Sequence, residues 1–108
     1  MDEAIEQYRK ALAINRTDAE TRSNLGFALF QTGQVDEAIE QYRKALEGNP
    51  NYAQAHANLG NALMQKGKVD EALVEYQEAL EGNPNLAETH FDFGNALMHK
   101  GKVDEALV

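Results

Sequence analysis

The chain has 108 residues and is acidic, with 18 Asp and Glu against 10 Lys and Arg and a net charge of −8. That length bounds it to one structural unit, the charge opposes approach to a nucleic-acid backbone, and the lack of cysteine removes a disulfide framework and thiolate chemistry. No apolar run approaches the roughly 18 residues of a membrane helix, and Met1-Asp2-Glu3 has the wrong charge for a signal peptide. The expectation is therefore a soluble, cytoplasmic protein that binds neither nucleic acid nor membrane.

Taken in order, the opening segment places Ala4, Ile5, Tyr8, Ala11 and Leu12 on one helical face. Asn15-Arg16-Thr17-Asp18 then forms a turn in which Thr17 or Asp18 caps the next helix by accepting a backbone N–H bond. That helix is expected over about residues 19–32, closed by Gly33 in the left-handed conformation. Asp36 is placed to cap a following helix that ends near Glu47, where Pro50 cannot continue it and biases Asn49 towards extended backbone. The same order recurs: a helix over about residues 52–66, Gly67, a helix over residues 70–81, then Gly82-Asn83-Pro84. A further helix is expected over about residues 86–100, and after Gly101 the segment 103–108 makes one turn of another. This predicts six substantial helices and a seventh that has barely begun.

The recurrence is textual as well as structural. Residues 69–102 are about two thirds identical to residues 35–68 at a spacing of 34, and residues 1–34 are a weaker copy. A period of 34 with two helical runs per copy points to an all-α helical solenoid. Within one period a large, Leu-Gly, large, small, aromatic, small, Pro pattern falls on Arg22, Leu25, Gly26, Leu29, Ala38, Tyr42, Ala45 and Pro50. The next period puts it on His56, Leu59, Gly60, Leu63, Ala72, Tyr76, Ala79 and Pro84. These residues resemble the tetratricopeptide repeat (TPR) family, with Arg22, His56 and His90 in a slot usually held by Trp. The resemblance implies a right-handed superhelix of antiparallel helix pairs: a lone second helix in residues 1–18, repeats at 19–52 and 53–86, and a partial repeat at 87–108. Gly26, Gly60 and Gly94 each cost roughly 1 kcal/mol in a helix interior, which suggests close helix–helix contact at that slot.

In the TPR family the first helices of each pair line a concave surface. If carried over, the resemblance puts Glu20, Ser23, Asn24, Phe27, Phe30 and Gln31 there, then Gln54, Ala57, Asn58, Asn61, Met64 and Gln65, then Glu88, Phe91, Asp92, Asn95, Met98 and His99. An Asn side chain both donates and accepts, so Asn24, Asn58 and the variant Asp92, with Asn61 and Asn95 in a second column, form a ladder able to bond the backbone of an extended peptide; polar surface residues inherited by duplication are the alternative. Phe27 and Phe91 are candidates for apolar side-chain pockets, and Phe30 and Met98 for the seam between neighbouring helices. Chaperone-binding TPR domains clamp a terminal carboxylate with Lys and Arg, and none of these positions is basic.

The charge is uneven. Residues 69–108 hold nine acids against two bases, whereas the earlier stretches are nearly balanced, giving either a solvated face or a surface that selects basic partners. No motif for catalysis, a cofactor or a metal stands out, and the histidines are assigned structural roles. The expected function is thus a non-enzymatic scaffold for a peptide or protein segment, without cofactor. Two alternatives remain: a docking or regulatory module of a larger enzyme, and a weak head-to-tail homo-oligomer. In the second, Ile5, Tyr8 and Leu12 at one end meet Phe93, Leu97 and Leu107 at the other.

Overall fold

In the computed structural model, residues 2–107 are described, apart from the side chains of residues 2, 103 and 105–107. Six helices follow one another: α1 (Asp2–Ile14), α2 (Ala19–Gln31), α3 (Val35–Gly48), α4 (Ala53–Gln65), α5 (Val69–Gly82) and α6 (Ala87–Leu107). None is long and apolar enough to cross a membrane. The molecule measures 52 × 27 × 20 Å with a radius of gyration of 14.5 Å, against about 13 Å for a compact domain of this length. It is a solenoid, and its core is a strip.

The helix boundaries have local causes. Asp18 is the cap of α2, its carboxylate accepting from the Thr21 backbone N–H at 3.3 Å and from the Thr21 hydroxyl at 2.6 Å; these bonds hold its pKa below the ordinary value. α2 and α4 end in the same left-handed turn. Gly33 has φ 84° and Gly67 φ 77°, and Gln34 and Lys68 donate back to the Leu29 and Leu63 carbonyls, both at 2.9 Å. Asp36, expected as a cap, instead lies in the first turn of α3 behind the cap residue Gln34. There its charge favours the helix dipole, and its carboxylate meets Nζ of Lys66, the residue that closes α4, at 2.9 Å. Gly48 and Gly82 lie inside the last turns of α3 and α5, so each second helix runs one residue past the expected end.

Packing repeats with the sequence. Leu25, Leu29, Leu59 and Leu63 of the first helices and Ala38, Tyr42, Ala72 and Tyr76 of the second helices are buried together. The close contact expected at the helical glycines is seen at two of them: a Cβ on Gly26 would lie 2.7 Å from the Tyr42 ring, and on Gly60 2.6 Å from the Tyr76 ring. At Gly94, whose counterpart of Tyr42 and Tyr76 would fall at position 110, nothing lies within 4 Å among the described residues.

One expectation is overturned. α6 does not stop at Lys100; it continues without a break through Gly101 to Leu107, so no seventh helix begins. The left-handed turns at Gly33 and Gly67 are held by 14-residue helices that dock on the preceding one. After Gly101 the backbone instead adds i→i−4 hydrogen bonds to an existing helix, which costs no new nucleation.

Candidate functional site

The backbones of α2 and α4, and of α4 and α6, come close, whereas the second helices α1 and α3 meet through one exposed side-chain pair, Arg9 to Glu37 at 3.5 Å. The first helices are therefore drawn together on the inner side of the curve, and their free faces make its surface.

On that surface Asn24 is exposed on α2, Asn58 half-buried on α4 and Asp92 half-buried on α6, one from each successive helix. Asn58 already accepts from Gln54 Nε2 at 3.0 Å, leaving its amide N–H groups free to turn outward. Phe27 and Phe91 stand beside this column, 47% and 68% exposed. Asn95 is exposed, and Asn61 is half-buried: its Oδ1 accepts from the Tyr76 hydroxyl at 2.6 Å, tying α5 to α4, and its amide stands near Asp92 of α6. Burial, and the neighbouring charge of Glu88, outweigh the opposing influence of the Asn61 amide and hold the Asp92 carboxyl above its ordinary pKa.

Several expected positions lie elsewhere. Ser23 and Ala57 are buried, not open to the groove, since these small residues sit where neighbouring first helices approach most closely. Phe30 and Met64 pack against the core, while Met98 is 64% exposed. At the ends, Ile5 is in the core and Tyr8, Leu12 and Phe93 are half-buried. α1 keeps one of the two neighbours a second helix packs against, and Phe93 leans on Tyr76 with ring centroids 6.3 Å apart. Only Leu97, 51% exposed, matches the expected open end; the Leu107 side chain lies outside the described residues.

A second constellation was not expected from the sequence. His56 is buried between α4 and α5, with Nε2 2.8 Å from the Pro50 carbonyl and Nδ1 2.8 Å from Glu75 Oε1 and 3.2 Å from Glu78 Oε2. A carbonyl only accepts, so Nε2 carries hydrogen and Nδ1 faces two carboxylates. Burial opposes a charged ring, but the bond to Glu75, the Pro50 carbonyl and the charges of both glutamates prevail, and the pKa of His56 is raised. The same slot in the preceding repeat holds Arg22, whose Nε and Nη2 donate to the Arg16 carbonyl at 2.9 and 2.7 Å and whose Nη1 donates to Gln41. His90 repeats the carbonyl bond, to Pro84. The sequence signal was available: Gln41 and Glu75 each follow their partner by nineteen residues.

Fold and repeat together define a helical-repeat solenoid of paired helices. The sequence profile of the TPR repeat matches residues 1–33, 28–67 and 60–101, and the chain belongs to the TPR family. Among solved structures it is similar to two of MamA, each at 30% identity over 98% of this chain, with TM-scores of 0.87 and 0.86. It spans 62% and 58% of those chains. It is also similar to the first TPR of Spaghetti (RPAP3) bound to the HSP90 peptide SRMEEVD, at 25% identity over 93% of this chain and 79% of that one, with a TM-score of 0.90. No curated protein sequence matches it.

Proposed function

We propose that the chain is an interaction scaffold that holds an extended peptide or protein segment on the surface of α2, α4 and α6, without catalysing a reaction. TPR repeat proteins are in general non-catalytic interaction modules, and a neighbour of the same fold has a peptide bound. The observation that carries the reading is the outward row of Asn24, Asn58 and Asp92 on successive first helices, flanked by Phe27, Phe91 and Asn95. Side-chain amides bond a peptide backbone whatever its sequence, and exposed rings supply side-chain contact. Asn61, whose oxygen is held by the Tyr76 hydroxyl, adds its amide N–H groups as a further donor beside the row.

No Lys or Arg stands among these residues, so the peptide preferred is neutral or basic, and an acidic one such as SRMEEVD is disfavoured. The test is selection from a displayed heptapeptide library, followed by anisotropy titration of the selected peptides. Each lost amide bond costs about 0.5–1.5 kcal/mol, so Asn24→Ala or Asn58→Ala weakens binding several-fold with helicity unchanged. Equal affinity in Asn24→Ala/Asn58→Ala/Asn95→Ala would remove the amide row from the mechanism.

A second reading, head-to-tail association, has one observation in its favour. The segment DEAIEQYRKAL occurs twice, at residues 2–12 and 36–46, so Tyr8 occupies the slot of Tyr42, and the space at Gly94 is the one that Tyr42 and Tyr76 fill at Gly26 and Gly60. Because α6 runs straight on, the position a following second helix would take beside it is left open to α1 of another copy.

A further inference from the structure

The pairing of His56 with two carboxylates has a feature that an ion pair alone leaves unbalanced. With Nε2 donating to Pro50 O, the one free ring nitrogen faces both Glu75 Oε1 and Glu78 Oε2. A proton on Nδ1 offsets one of these two negative charges; Arg43 and Glu47, which border Glu75 and Leu59 from α3, offset each other. A divalent ion bound by neutral imidazole offsets both carboxylates.

The geometry suits such an ion. Two ligand atoms each about 2.1 Å from one metal, at angles between octahedral and tetrahedral, lie roughly 3.0–3.4 Å apart. The observed separations from Nδ1 are 2.8 and 3.2 Å, and all three ligand atoms lie within 4.8 Å of one another. Small rotations of two carboxylates therefore complete the coordination. Glu75 and Glu78 are three residues apart on α5 and so share a face, and His56 comes from α4. The other ring nitrogen is already held by a backbone carbonyl, the kind of bond that fixes tautomer and orientation in histidine–metal sites. Beside the cluster lies a hollow of about 620 Å³ lined by Pro50, Asn51, His56, Glu78, Glu81 and Gly82, with room for water on the remaining positions.

We propose that His56 Nδ1, Glu75 and Glu78 form a binding site for one divalent transition-metal ion of the zinc class, clamping α4 to α5. One imidazole and two carboxylates suit Zn²⁺, Co²⁺ or Ni²⁺; the imidazole disfavours Ca²⁺ and Mg²⁺, which take oxygen ligands. The first repeat lacks the site, because its corresponding residues are Arg22, Gln41 and Lys44, none of them a ligand that balances a cation.

The test uses the chain stripped of metal with a chelator and titrated with Zn²⁺ by calorimetry and with Co²⁺ by visible absorption. Two variants decide it. Glu78→Gln removes one ligand from a half-exposed position and leaves the His56–Glu75 bond in place, so the fold is retained. His56→Arg installs the residue that the first repeat carries in this slot, keeping a cation that can reach the Pro50 carbonyl. The expected result is one ion per wild-type chain, a Co²⁺ ligand-field band, and binding weakened about tenfold or more in each variant at unchanged helicity. Absence of uptake by the wild type, or equal uptake by wild type and Glu78→Gln, overturns the proposal and leaves a proton-bridged ion pair. Should His56→Arg lose helicity, the comparison of wild type with Glu78→Gln is sufficient by itself. Peptide binding on the inner surface is measured separately, so either result stands without the other.

Discussion

At the scale of single residues, three glycines in one repeat slot have opposite consequences. Gly26 and Gly60 lie against the rings of buried Tyr42 and Tyr76, while Gly94 faces open space. Gly94→Ala is expected to stabilise by about 0.5–1 kcal/mol through helix propensity. Gly26→Ala and Gly60→Ala force a buried ring to move, and overpacking of about 1–3 kcal/mol outweighs that gain. Urea midpoints of the three variants check the split; a uniform shift would show that the slot is governed by propensity alone. Asp92 gives a second residue-level expectation. Its pKa is raised by burial and by Glu88, so ionisation disfavours the fold: the stability it contributes is present below the unfolded pKa and lost as pH rises through the folded one. Asp92→Asn should therefore raise the melting temperature at pH 7, with the difference from wild type closing as the pH falls below about 4. A difference that persists at pH 3 would point to packing and away from charge.

At the scale of elements, the same text gives two conformations. Lys66-Gly67-Lys68 turns the chain back, whereas Lys100-Gly101-Lys102 stays helical within α6. Both turn sequences carry the same Gly, and an ion pair joins Lys66 to Asp36 much as one joins Lys100 to Asp70. Exposed pairs of this kind are worth about 0–1 kcal/mol and do not select the turn. What differs is the helix that follows. A chain extended beyond Val108 with a copy of residues 75–82 would supply an aromatic ring for Gly94, and Gly101 should then move to positive φ. Backbone chemical shifts and couplings at Gly101 read the change directly, and in the extended chain Gly94→Ala should turn from stabilising to destabilising. Persistent helical shifts at Gly101 would mean that docking does not drive the turn.

At the scale of the whole molecule, the two ends bear unequal surfaces. Ile5 is buried and Tyr8 and Leu12 are partly covered by the molecule itself, while Leu97 and Met98 are open. Fewer apolar side chains are free than six exposed ones would provide, so on the head-to-tail proposal association through the ends is expected to be weak and to need high concentration. Filling the Gly94 space with Gly94→Leu should block entry of Tyr8 from a second copy and leave a monomer, whereas Gly94→Ser, smaller and polar, weakens the contact less. Sedimentation equilibrium across a concentration series distinguishes these outcomes. A wild type that remains monomeric throughout removes the head-to-tail reading and leaves peptide binding untouched.

The period of 34, the helix order and the left-handed glycines at 33 and 67 were legible in the sequence, because each rests on local chemistry: apolar spacing, a proline that stops a helix, a Gly without Cβ. The TPR identity followed from those residues alone. The continuation of α6 through Gly101 was not legible, since identical local text turns or continues according to whether a later helix docks on it. Nor was the partition of the inner-face residues. Asn58 and Asn61 are equally polar in the sequence, but only packing brings the Tyr76 hydroxyl onto Asn61 and leaves the amide of Asn58 free. The same holds for His56. Its neighbours in the chain are Ala55 and Ala57, and the two carboxylates that give it chemistry arrive from a helix nineteen residues away when α4 and α5 pack.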